Sequence, residues 1–310
     1  MAAANQIDIL GLGAIAVDDV ICVEGYPPPD TKAQVIGRQR RFGGLTGIAL
    51  VTAARLGARC AYAGTLGRDE LSCFALESLK REKIDVSRVK RTASARPIHS
   101  NIVVDQRLGT RNIFFDLDHV VGASVHVPAA LIRSCRVLFI DHVGVPGMIR
   151  AARLARRAGI PVVADFEVEH DPQFRQLLTL ANHLILSQGF ARRITGKRSP
   201  QQAVLALASS GHDVVVVTCG QEGGWYLARG WKSPKHWDAF KVNAVDTTGC
   251  GDVFHGAYAF GLARNLPLEE RLELASAAAA LKASRDAGLA GIPSLQMVRR
   301  FLKPRAVSIQ

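Results

Sequence analysis

Residues 245–256 read VDTTGCGDVFHG, and the way this tract enters an apolar helix decides how the rest of the chain is read. Gly249, Cys250 and Gly251 form a turn with almost no side-chain bulk, just ahead of a helix expected over residues 253–264. A turn this bare can wrap backbone N–H groups around an anion, and the helix N-terminus adds the positive end of a dipole. Asp252 falls in the first turn of that helix. A carboxylate beside an anion site is electrostatically misplaced unless it has a task. One such task is accepting a proton from a substrate hydroxyl as its oxygen attacks a phosphoryl group. A plainer reading stands beside this one: an acidic first turn stabilises any helix, and Gly-Cys-Gly is then only a loop.

Upstream of this tract the chain repeats one unit: apolar strand, glycine-containing turn, amphipathic helix. Strands are expected at residues 7–10, 60–63, 137–140, 161–164, 183–186 and 214–218. Helices are expected at 46–56, 69–82, 146–158, 171–180, 188–194 and 201–209, and in the C-terminal part at 253–264, 268–283 and 294–302. Such alternation implies an α/β fold, a mostly parallel sheet covered by helices on both faces. Two stretches break the pattern. Residues 17–23 and 33–39 are β-like and flank EGYPPPD, where three consecutive prolines exclude a helix. Residues 99–105 and 111–115 are β-like again and are joined by QRLGT, a hairpin signal. No crossover helix follows either pair. They are expected to form a small antiparallel sheet, a lid inserted as segments of about 17–40 and 98–116 into one domain spanning residues 1–310.

Composition narrows the function classes. Hydrophobic residues make up 48% and charged residues 21%, which excludes a disordered chain. No apolar run reaches the roughly 18 residues of a membrane span. MAAANQIDIL lacks the basic and apolar regions of a signal peptide, so a cytoplasmic protein is expected. The six cysteines, at positions 22, 60, 73, 135, 219 and 250, show no C-x-x-C spacing. The net charge is +12, which suggests either a nucleic-acid binder or an enzyme with a basic surface. Arg150, Arg153 and Arg157 share one face of an expected helix, as the wet side of an amphipathic helix would. Aromatic residues do not interleave with the basic ones, so no base-stacking platform and no nucleic-acid partner are expected. Walker A, G-x-S-x-G and H-E-x-x-H motifs are absent. GLGAIA at 11–16 has dinucleotide-like spacing, but a β-branched, proline-rich stretch follows where that site needs a helix. No metal site is assigned to the nine scattered histidines.

Two further glycine tracts could approach a ligand. Gly43 and Gly44 precede a helix start, where they serve either close backbone approach or a tight capped turn. VTCGQEGG, residues 217–224, places Thr218, Gly220 and Gly223 at the C-terminal end of a strand, where α/β sheets hold ligands. A plain β-turn into residues 225–227 is the alternative.

Together these tracts resemble the ribokinase-like (PfkB) carbohydrate kinase family. VDTTGCGDVFHGA is similar to its D-T-x-G-A-G-D signature, with Cys250 in place of alanine. GGLTGIALVTAARLG is similar to its N-terminal glycine signature, and Gly13 with Asp18 matches its G-x4-D pattern. VTCGQEGG resembles the nucleotide-side turn, and KASRDAGLAGIPS the C-terminal segment near the adenine. The resemblance implies a three-layer α/β sandwich with a β lid. It also implies transfer of the ATP γ-phosphoryl group, with Mg2+, to a sugar hydroxyl. Asp252 would be the base, and Gly249, Cys250 and Gly251 the anion hole. Asp18, Gly43 and Gly44 would bind sugar hydroxyls; Thr218, Gly220 and Gly223 would line the nucleotide. Asp246 would hold the loop, with a monovalent cation such as K+ as its partner. A homodimer through the lid is implied as well.

Two departures stand out. Ile48 replaces a frequent asparagine. Residues 187–190, Ser-Gln-Gly-Phe, replace the N-x-x-E motif linked to Mg2+ through water. EGYPPPDTK and DTTGCGDVFHGA also resemble the sulfofructose kinases. There Lys32 would meet an anionic sugar substituent, although Val143 falls where that subgroup has an arginine. Ketohexoses, pentoses, sugar phosphates and sulfofructose are therefore candidate acceptors. A nucleoside kinase of the same fold and a non-catalytic sugar- or nucleotide-binding regulator are the alternatives.

Overall fold

The computed structural model describes residues 7–116, 118, 122–285 and 288–303. Residues 1–6 and residues 286–287 of the KASRDAGLAGIPS tract lie outside this set.

The strands are β1 (Ile7–Gly11), β2 (Ala16–Val23), β3 (Val35–Gly43), β4 (Cys60–Tyr62), β5 (Thr65–Leu66), β6 (Lys90–Arg91) and β7 (Ile98–Asp105), then β8 (Thr110–Asp116), β9 (Cys135–Asp141), β10 (Val162–Asp165), β11 (His183–Ser187), β12 (Val214–Thr218), β13 (Gly224–Ala228) and β14 (Lys235–Trp237). The helices are α1 (Leu45–Arg55), α2 (Glu70–Arg81), α3 (Ala129–Arg133), α4 (Val145–Arg157) and α5 (Phe174–Leu178), then α6 (Gln188–Thr195), α7 (Pro200–Ala208), α8 (Cys250–Ala263), α9 (Leu268–Ala283) and α10 (Leu295–Leu302).

Eight strands form the main sheet in the order β14-β13-β12-β11-β10-β9-β1-β4. The six from β12 to β4 run parallel, and β13 and β14 add an antiparallel edge. Because side chains alternate along a strand, each strand feeds two cores. Ile9, Phe139, Val163, Ile185 and Val216 face α1, α8 and α9. Leu10, Leu138, Ala164, Leu186 and Val217 face α4 to α7. The expected α/β three-layer arrangement is what the structure shows. Full burial of a side chain such as Phe139, 0% exposed, contributes about 1.5–3 kcal/mol.

Four strands form the second sheet, in the order β3-β2-β7-β8. It consists of two antiparallel hairpins, β2–β3 and β7–β8, whose inner strands β2 and β7 pair in parallel. The expected hairpins are present; the parallel seam between them joins segments too far apart in sequence for local pattern to reveal. Every residue of β8 is exposed, including Phe114 and Phe115 at 54% and 64%.

One contact fixes the relation of the two glycine-led helices. At Gly256 a Cβ would lie 2.2 Å from the Ala49 carbonyl oxygen, so α8 and α1 touch backbone to backbone. Only glycine permits that approach. Gly256→Ala is therefore expected to destabilise the fold by about 1–3 kcal/mol through overpacking. The check is the urea midpoint at an unchanged slope; a midpoint equal to wild type would contradict it.

Candidate active site

Parallel strands end together, and the site is built along that shared edge. Asp141 closes β9 and Asp165 closes β10, directly paired in register. Asp141 is 0% exposed, and its Oδ2 accepts from the Ala14 N–H at 2.6 Å and the Thr46 hydroxyl at 2.7 Å. Its Oδ1 accepts from the Val143 N–H at 2.8 Å. One buried carboxylate thus ties the β1–β2 connection, the first turn of α1 and the loop after β9 to one another.

The second sheet brings Asp18 to this edge. Asp18 on β2 lies opposite Arg41 on β3 and Ser100 on β7. Burial raises its pKa, although a Ser100 hydrogen bond and the charges of Arg41 and His99 oppose the rise. A Cβ on Gly43 would come 3.0 Å from Asp18 Oδ2. Gly44 caps α1 at φ 93°, and a Cβ there would lie 2.6 Å from the Ala14 carbonyl oxygen. Asp18, Gly43 and Gly44 are thereby assembled at the head of α1. Lys32 is not among them: it lies in the exposed turn between β2 and β3, outside this register.

At the head of α8, Gly249 is the N-cap in left-handed conformation, φ 73°. The space beside it holds Asp252 Oδ2 and the Ile48 methyl, 3.6 and 3.9 Å from where its Cβ would be. Ile48, in place of the asparagine, is therefore an apolar wall of the anion turn. The Cys250 N–H donates to the Thr247 carbonyl at 3.2 Å, and the Gly251 N–H has no hydrogen-bond partner among the described residues. Burial pushes the Cys250 thiol up to about 11, so it fills alanine's place as a neutral small group.

Asp252 keeps part of its surface open to solvent. Burial still pushes its carboxyl well above the usual range, and the charges of Asp165 and Glu167 push the same way. His255 is the neighbour that pulls it back down. Its ring explains why. Nδ1 lies 2.7 Å from the Gly251 carbonyl oxygen and Nε2 lies 3.0 Å from that of Ile185. The ring is thus held between two backbone carbonyls, which can only accept. Asp165 Oδ2 lies 3.3 Å from Nδ1, and burial, with the charges of Glu167 and Asp141, pushes the Asp165 carboxyl well above the usual range. His255 and Asp165 are 4% exposed each.

On the nucleotide side, Thr218 ends β12 beside Ser187. Gly220 opens a short 3-10 turn that leads through Gly223 into β13. It is a strand-joining turn, since a Cβ on Gly223 would meet the Trp237 carbonyl oxygen at 1.9 Å, and it sits at the strand end where ligands bind. Asp246 lies ahead of the anion turn, its Oδ1 accepting from the Thr248 N–H at 2.9 Å and its Oδ2 from Lys282 Nζ at 3.0 Å.

Mg2+ has no protein cage here: among the described residues no group of three or more His, Cys, Asp or Glu could hold a metal. Phe190, where the family motif has its carboxylate, is 1% exposed and packs edge-on against Phe174 at 5.9 Å. Glu167, exposed just after β10 and close enough to act on Asp252, is the free carboxylate on this side. It fits an ion carried by phosphates and water, the usual manner for Mg2+. Sequence reasoning missed Asp141, Asp165, Glu167, His255 and Lys282. Two of them had a signal in sequence: His255 lies in the tract around Asp252, and Lys282 opens the KASRDAGLAGIPS tract.

Comparison with known proteins gives a consistent result. The profile described as pfkB family carbohydrate kinase matches residues 6–294. A ribokinase of Staphylococcus aureus (strain COL) is 26% identical over 96% of this chain and 99% of its own. A ribokinase of Mus musculus is 31% identical over 77% of each chain. Among solved structures, Arabidopsis thaliana ribokinase complexed with ribose and ATP superposes with a TM-score of 0.86 at 21% identity, covering 96% of this chain and 99% of that one. No helix among the described residues is long and apolar enough to cross a membrane. A profile match over nearly the whole chain, on a fold that sets Asp252 and its glycine turn beside Ile48 of α1, places this chain in the pfkB family of carbohydrate kinases.

Proposed function

We propose that this protein uses ATP, with Mg2+, to phosphorylate a hydroxyl of a sugar or sugar derivative, acting as one domain whose segments 17–40 and 98–116 form the lid. The observation that carries the reading is Asp252, a part-open carboxylate with raised pKa in the first turn of α8, beside Gly249 and close to α1. Asp18, Gly43 and Gly44 hold the sugar hydroxyls. Asp252 takes the proton of the reacting hydroxyl as its oxygen bonds to the γ-phosphorus and the bond to ADP breaks. Gly249, Cys250 and Gly251, with the α8 dipole, face the negative charge on the transferring group. Glu167 would meet the water shell of Mg2+ bound with the nucleotide, and that ion would offset phosphate charge. Thr218, Gly220 and Gly223 line the nucleotide. Phosphoryl transfer needs positioning and charge stabilisation above all, which is what this set of groups offers.

For the acceptor we favour a ketohexose or a sugar carrying an anionic group, such as sulfofructose. Arg41 supports this, since it lies opposite Asp18 and its guanidinium donates only to Gln39 among the described residues. Lys32, exposed on the lid, would reach such a group on closure. The cytoplasm, which supplies ATP, is the setting this chemistry calls for. The exposed edge strand β8 with Ile113, Phe114 and Phe115 supports pairing with a second copy, because such an edge otherwise leaves apolar surface and ladder groups open.

Four outcomes test this reading. Asp252→Asn lowers sugar-dependent ADP release by about 10²–10⁴-fold while ATP binding persists; a near-wild-type rate would remove Asp252 from the mechanism. The base works deprotonated and its pKa is raised, so kcat/KM falls on the acid side at a pH above the ordinary carboxylate range. His255→Gln removes the neighbour that pulls this pKa down, so the acid limb moves to higher pH; an unmoved limb would show that His255 does not act on Asp252. Replacing Phe114 and Phe115 by lysine turns a dimer into a monomer in sedimentation, and a wild type that is monomeric at all concentrations contradicts the lid pairing.

A further inference from the structure

The loop before the anion turn already holds a cation of its own. Lys282, in the last turn of α9, is 3% exposed. Its Nζ lies 3.0 Å from Asp246 Oδ2 and 3.4 Å from the Asp246 carbonyl oxygen. The stem is held in place: a Cβ on Gly291 would meet Lys282 Cδ at 3.0 Å and Cε at 3.5 Å, so the chain of methylenes runs along the turn Gly288–Gly291. The remaining oxygen of Asp246 is occupied by the Thr248 N–H. The same loop is strapped to α9 by its backbone, with the Val245 and Asp246 N–H groups donating to the Ala283 carbonyl at 2.7 and 3.1 Å. Despite burial, hydrogen bonds from Thr248 and Lys282 keep the Asp246 carboxyl below its ordinary range. The ammonium also sits at the C-terminal end of α9, where the helix dipole favours positive charge.

Resemblance to the family implied a monovalent cation at Asp246. The residues present do not fit a free one, because a tethered ammonium fills the place beside that carboxylate. We infer that Lys282 is the built-in cation of this loop, so that folding and activity of this protein are independent of K+. The loop runs from Asp246 through Thr247 and Thr248 into Gly249 and the first turn of α8. Lys282 is thus a positioning residue: it holds the approach to the anion turn without touching substrate.

The test compares melting and turnover in buffer whose only monovalent cation is tetramethylammonium, too bulky for such a site, with and without added K+ or NH4+ at matched ionic strength. The inference expects the wild type to show the same Tm and the same rate in each. Lys282→Met leaves Asp246 as an uncompensated carboxylate and is expected to melt roughly 5–15 °C lower, the scale for breaking a buried pair. K+ or NH4+ then restores much of that loss and raises turnover, whereas Lys282→Met combined with Asp246→Asn regains Tm without responding to either ion. Should Lys282→Met fold only when K+ or NH4+ is present, that outcome supports the inference equally. A wild type whose Tm or rate rises with K+ overturns it. So does a Lys282→Met protein that is fully stable without small cations, or one that neither ion rescues. The turnover arm rests on the proposed sugar-kinase reading; the melting arm does not, so failure of that reading leaves this inference tested by Tm.

Discussion

Where Gly256 meets Ala49, the backbone of α8 lies directly against the backbone of α1, and the rest of the site depends on that contact. Two helices that start with glycine caps are locked side by side, so Gly44 and Gly249 open onto the same end of the sheet. Asp141 fixes the α1 side by holding Thr46 and Ala14 together. The Asp246–Lys282 pair and the Ala283 strap fix the α8 side. Both helix heads are thus held by buried, hydrogen-bonded polar groups, and their relative placement by close packing.

The electrostatics follow from topology. Parallel strands release Asp141, Asp165 and Glu167 at one edge, and α8 adds Asp252. Burial raises the pKa of Asp252, and this concentration of acid pushes the same way. The His255 ring, held between the Gly251 and Ile185 carbonyls, opposes that rise. A base of raised pKa suits a reaction that takes a proton from an alcohol.

Much of this was legible in the sequence because it is local. The apolar runs of β9 to β12 and the glycine-capped helices follow from period and punctuation, and the fold class follows from their alternation. The tract around Asp252 was legible because its chemistry lies within a few residues. Pairings that cross the chain were not. The parallel seam of β2 and β7, the triple use of Asp141, and the meeting of Lys282 with Asp246 are tertiary facts without a local signal. Strand β14 was missed because three residues at an edge carry no period. Phe190 shows the converse case: its departure from the family motif is visible in sequence, but only packing against Phe174 explains it as core.

The most direct measurement is release of ADP from Mg-ATP by purified protein across ketoses, aldoses, sugar phosphates, sulfofructose and nucleosides, each paired with detection of the phosphorylated product. The account predicts strong turnover with a ketohexose or an anionic sugar, one phosphorylated sugar appearing for each ADP. Turnover with nucleosides alone, or none with any acceptor from folded protein that binds both ATP and sugar, would contradict it.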